Sequence, residues 1–180
     1  MKKICKWLVG VFINCLLIAT PIYASESFEW EIRAQEEGLN EMSALLPKEA
    51  SISTDLDSVT RGRYIASSGL SISNEGYGVL GVYVDTLAHV PVKKIKMTVY
   101  LDQWDEEVED WIQIDNKELV YEDEDESEDL HMATESFLVE NLETNKYYRL
   151  RGLHAVWSFD GYLETHATMT DGVLLTDGPA

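Results

Sequence analysis

A leucine standing six residues before a tyrosine, with a polar turn between them, is the feature that most constrains this chain. The stretch runs Leu142-Glu143-Thr144-Asn145-Lys146-Tyr147-Tyr148, and alternating residues follow it to Phe159. In β-sandwiches a tyrosine at the start of a strand sends its hydroxyl back to upstream backbone. This braces the corner where the chain passes between sheets. Tyr148 is placed for that job. Asp160-Gly161 comes next, a strong short-range hairpin signal, with a second β-like run behind it. The best-marked part of the sequence therefore specifies a fold, not a reaction.

The chain before and after this corner reads the same way. Ile95, Met97, Val99 and Leu101 alternate with Lys94, Lys96, Thr98, Tyr100 and Asp102, the plainest period-two run present. Similar runs cover 64–73, 79–86, 108–121, 132–139, 146–159 and 162–175. Asn74-Glu75-Gly76-Tyr77-Gly78 supplies turn chemistry between the first two. Seven short strands with turn signals between them and no helical period argue for an all-β fold. With the tyrosine corner, the expectation is an antiparallel sandwich of the immunoglobulin or fibronectin type over 61–176, with a short tail at 177–180. Residues 25–60 read as an acidic, mostly flexible linker. Leu39, Met42, Leu45 and Leu46 within it are spaced for one helical face that Pro47 would stop.

Lys2, Lys3 and Lys6 precede an apolar run from Trp7 to Ala19, and polar sequence begins at Ser25. That is the layout of a secretory signal peptide over 1–24, cleaved after Ala24. The apolar run is short for a membrane span of about 20 residues, so no stable anchor is expected after cleavage. Cys5 and Cys15 both lie in this segment. The remainder has no thiol for a disulfide, a metal or a nucleophile. It keeps 11 of the 14 basic residues and all 33 acids, a net charge of −22. Nucleic acids and anionic membranes are bound through Lys and Arg, so neither is expected as a partner.

The residues Arg61-Gly62-Arg63-Tyr64, Lys96-Met97-Thr98-Val99-Tyr100-Leu101, Tyr148-Arg149-Leu150-Arg151, His154 and Thr170-Asp171-Gly172-Val173 carry a resemblance. Over 61–176 the chain resembles a family of small secreted proteins of Gram-positive bacteria, known only as a domain of unknown function. The resemblance implies secretion and a β-rich domain, and no activity.

Chemistry is sparsely signalled. His89, His131, His154 and His166 form no His-x-His or His-Glu-x-x-His pattern, so no metal is expected. The hairpin register decides how His154 and His166 relate. A two-residue loop sets them on opposite faces, and a three-residue loop with Gly161 left-handed sets them directly opposite one another. No Gly-x-Ser-x-Gly elbow or Ser-x-x-Lys is present. The acidic stretch ending in Glu122–Asp129 lacks an ordered calcium-loop pattern, and only weak divalent-cation association is expected of it. The reading is no enzyme and no cofactor.

Aromatic residues are the most usable hint. Tyr100 and Trp104 lie in the phase opposite the apolar row of their strand, and Trp111 sits across the following turn. Exposed aromatics can stack on sugar or take a protein partner, whereas a cross-strand aromatic pair can simply shield a hairpin. The expectation is a secreted binding module using Tyr100, Trp104 and Trp111, its partner a cell-wall or host glycan or an extracellular protein. The alternative is an acidic structural or surface component without a discrete site.

Overall fold

The computed structural model describes residues 43–58, 62–123 and 129–179. Nine strands form two antiparallel sheets: β1 (Ile52–Ser58), β2 (Ile65–Gly76), β3 (Val79–Ala88), β4 (Lys94–Asp105), β5 (Asp110–Glu122), β6 (Met132–Val139), β7 (Lys146–Trp157), β8 (Leu163–Met169) and β9 (Val173–Leu175). One sheet is ordered β1-β2-β3-β6, the other β5-β4-β7-β8 with β9 also on β7. If β2 to β8 are named A, B, C, C′, E, F and G, the sheets read A-B-E and C′-C-F-G. That is the fibronectin-like arrangement, with β1 added outside strand A.

Alternation builds the core. Leu70, Ile72, Leu80, Val82 and Val84 of the first sheet face Ile95, Met97, Val99, Leu101, Leu150 and Val156 of the second, all buried. Each such side chain contributes about 1.5–3 kcal/mol on leaving water. Between β2 and β3, Tyr77 and Gly78 both have positive φ, 53° and 77°, as a primed two-residue turn requires. A side chain at Gly78 would strike the Leu142 carbonyl, so this turn is also where the β6–β7 corner rests.

The corner is built as the sequence predicts. Tyr148 is fully buried, and its hydroxyl donates to the Glu143 carbonyl at 2.9 Å. Burial first, and the neighbouring Glu143 charge second, push the phenol up to about 12. Asn145, at φ 61°, makes the reversal just before it.

Two boundaries differ from the sequence reading. The last run, 162–175, is two strands, because the chain leaves β8 at Thr170 and rejoins β7 one turn later. And 25–60 is not linker to its end: Ile52–Ser58 is edge strand β1, paired with β2 over its whole length. Its apolar residues Ile52 and Leu56 point to water, so hydrophobic alternation gave no sign of a half-buried strand. Its inward positions are polar and cap the opposite sheet. Asp55 accepts from the Met169 amide at 2.8 Å, and Ser53 from the Asp171 amide at 2.9 Å. Leu45 and Leu46 are not helical. They run beside Gly172, with Leu46 N–H on the Gly172 carbonyl and Gly172 N–H on Ala44. The remainder of the expected helical face, and the signal peptide, lie outside the described residues.

Replacing Tyr148 with phenylalanine removes the corner hydroxyl and leaves the Glu143 carbonyl short of a partner. The expected cost is about 1–3 kcal/mol in denaturant unfolding. A loss of only a few tenths would show that the bond does not hold the corner.

Candidate functional site

The outer face of the second sheet carries an unusual charge arrangement. Asp102 on β4 is 1% exposed although it points away from the sandwich interior. One of its oxygens accepts from Arg149 Nε at 2.9 Å and from Arg151 Nε at 2.7 Å, and the other from Arg151 Nη2 at 3.0 Å. Strand register delivers this, since Asp102 is opposite Arg149, and Tyr100 is opposite Arg151. Burial pulls the Arg149 guanidinium down from its ordinary value, and the bond and charge of Asp102 push it back up. Each arginine then covers an aromatic ring: Arg149 lies 4.8 Å from the Trp111 ring and Arg151 5.2 Å from that of Tyr100.

Trp111 reaches this face only because β5 is irregular. Leu101 is opposite Asp115, but Asp102 is opposite Gln113, so Ile114 is an extra residue in β5. Counted by twos from Leu119 and Tyr121, which pack on the core, Trp111 would point inward. The bulge reverses the phase. Trp111 stands opposite Trp104 with ring centroids 5.3 Å apart at 67°. All three aromatics expected to bind thus share one face, but they do not form an open platform. Trp111 is 8% exposed, roofed by Arg149 and seated against Gly172, where any side chain would collide with the indole. Tyr100 and Trp104 are half-buried.

The open surface lies just beyond them. The β4–β5 hairpin ends in the loop 106–109, held by Asp105, whose carboxylate accepts from the Glu107 and Val108 amides. Between this hairpin end and the β6–β7 corner is a groove of about 490 Å³. Trp104, Ile112 and Ile114 give it apolar lining, and the two isoleucines are 46% and 43% exposed. Asp105, Glu106, Glu107 and Glu143 line it as well, with Lys146 from the corner. Sequence reading missed the isoleucines, because the bulge at Ile114 breaks the alternation around them and has no signature in the chain.

The histidine question is settled by the turn. Gly161 has φ 82° and Ser158 N–H donates to the Tyr162 carbonyl, so the three-residue register holds and His154 is opposite His166. They form no open pair. His154 is fully buried between the hydroxyls of Thr86, 2.7 Å from Nδ1, and Thr168, 2.8 Å from Nε2. His166 Nε2 lies 3.1 Å from the Asp57 carboxylate. Among the described residues no group of three or more His, Asp or Glu is set to hold a metal ion. Most of the Glu122–Asp129 stretch lies outside them.

Burial, and then the nearby His166, lower His154 to about 3. The unfolded chain takes this proton near pH 6.5 and the folded one does not, so stability falls as pH drops below 6.5 toward 3. Comparing wild type with His154→Gln cancels the other titrations. The stability gap between them should narrow by about 2 kcal/mol from pH 7 to pH 5. A gap that stays constant would mean that His154 protonates in the folded state as readily as outside it.

The model of a family of unknown function (DUF6147) matches residues 46–172. The match begins before β1, where the described domain also begins. No curated protein matches the chain.

Proposed function

Because the chain belongs to this family of unknown function, its role rests on its own surfaces, and we propose that it is a secreted, non-catalytic module that binds an extracellular protein through the hairpin groove. The observation that carries this is the pair Ile112 and Ile114, aliphatic and exposed inside a concavity, beside Trp104. Apolar side chains placed together in a groove and ringed by charge are the arrangement of a docking surface. The carboxylates around them select a partner segment that carries lysine or arginine among aliphatic residues, and the acidity of the whole chain reinforces the choice.

The binding reading is supported over catalysis by how the titratable groups outside the groove are used. Asp102 is closed beneath two guanidiniums, and His154 is fixed between two hydroxyls. Neither meets solvent. Export is supported by the basic, apolar and small-residue order of 1–24.

The test uses the exported chain, whose first residue should be Ser25. Panning it against a random peptide library should enrich peptides with basic residues flanking aliphatic ones. Their binding should weaken with added salt and drop at least about tenfold in an Ile112→Ser, Ile114→Ser variant. Peptides without basic bias, or equal binding by the variant, would contradict the groove. Failure to enrich any peptide would return the protein to a structural role.

A further inference from the structure

The outer face of the four-stranded sheet differs from the rest of the protein. Its outward positions are Ile52, Thr54, Leu56 and Ser58 of β1, then Ser67, Gly69, Ser71, Ser73 and Glu75 of β2. Across from these stand Gly81, Tyr83, Asp85 and Leu87 of β3, and Met132, Thr134, Ser136 and Leu138 of β6. In a chain of net charge −19, these positions carry only Asp85 and Glu75 as charged residues, and Glu75 accepts from the Ser73 hydroxyl at 2.6 Å and lies over Gly81. The face is shaped as well as sparsely charged. Small residues leave a shallow hollow of about 340 Å³ between Ser73, Gly81, Tyr83, Ser136 and Leu138.

Tyr83 stands in the middle of it, 42% exposed. Its hydroxyl lies near Asp85, two residues along the same strand, and Thr134 on the neighbouring one. The Asp85 carboxylate in turn lies over Gly69, in the space that any larger residue would fill. Burial raises the Asp85 carboxyl above its usual range. The exposed ring thus has hydroxyl groups around it, from Ser71 opposite it on β2 and Ser136 opposite it on β6. Thr54 and Ser71 already bond to each other at 2.8 Å, which shows that this surface pairs hydroxyl with hydroxyl.

We propose that this face binds an uncharged oligosaccharide, with Tyr83 as the stacking platform and Asp85 and the surrounding serine and threonine hydroxyls as hydrogen-bond partners. Three observations choose this occupant. Hydroxyls surround Tyr83 and the aliphatic residues Ile52, Leu56 and Met132 lie at the margins, the reverse of a protein interface with apolar core and polar rim. From strand spacing and rise the face measures about 400 Å². That is roughly half of what each partner buries in a stable protein complex, so a second copy of this chain is not the fit. The acidic field around the face repels a polyanion, which leaves a neutral chain of sugar rings. This site is on the opposite sheet from the hairpin groove and stands or falls independently of it.

The test is an NMR titration of the ¹⁵N-labelled protein with cellohexaose, chitohexaose, xylohexaose and maltohexaose, and with an oligogalacturonate as anionic control. At least one neutral sugar should cause saturable shifts centred on Ser71, Tyr83 and Ser136, and the anionic one should not. Tyr83→Ala should weaken that binding at least about tenfold while amide shifts in the second sheet stay in place. The proposal is overturned if no neutral hexasaccharide produces saturable shifts, or if those produced survive Tyr83→Ala. It is equally overturned if the oligogalacturonate binds this face, or if the same amides shift with protein concentration alone, which would mark a contact between copies.

Discussion

The shared carboxylate of Asp102 is the contact on which the β4–β5 hairpin end of this protein depends. A carboxylate removed from water is costly unless it is paired and fully hydrogen-bonded, and here two guanidiniums meet that demand. The same two groups roof Trp111 and Tyr100, bond Gln113 on β5 and reach Ser43 ahead of β1. One ion cluster thus ties β4, β5, β7 and the N-terminal stretch together on a face that has only a small apolar cluster, centred on Leu153 and Ala155. The hairpin end, and with it the groove, is held from this side.

What could be read from the chain follows from what leaves a local signature. The corner was legible because Leu142, the polar turn and Tyr148 sit within seven residues, and the three-residue hairpin was one of two registers that Asp160-Gly161 allows. Strand β4 was legible because its two faces differ in every residue. Strand β1 was not, because its inward residues Ser53, Asp55 and Asp57 serve the opposite sheet as hydrogen-bond and charge partners instead of as apolar core. The phase of Trp104 was legible, but the burial of Trp111 was not. It follows from one extra residue at Ile114 and from Arg149, which is close in space and far in sequence. The Asp102 cluster itself is invisible to motif reading, since it joins strands whose register only the fold supplies.

The two sheets present unlike surfaces. The hairpin end of one is acidic with aliphatic lining, and the outer face of the other is hydroxylated with few charges. Between them lies a core whose polar members are largely satisfied, His154 by two threonines and Tyr148 by backbone. Rigid scaffolding with chemistry confined to its surfaces is what a binding module requires, and it leaves each face free to serve a different kind of partner.

Substitution of Asp102 by asparagine tests the central claim most directly, because it keeps shape and removes the charge that both arginines share. The expected loss is about 3–5 kcal/mol in unfolding free energy. The near-ultraviolet circular dichroism of the packed Trp104–Trp111 pair should collapse with it, as Arg149 leaves the indole. Unchanged stability with an unchanged aromatic signal would contradict it, and would mean that the hairpin end is held by strand pairing alone.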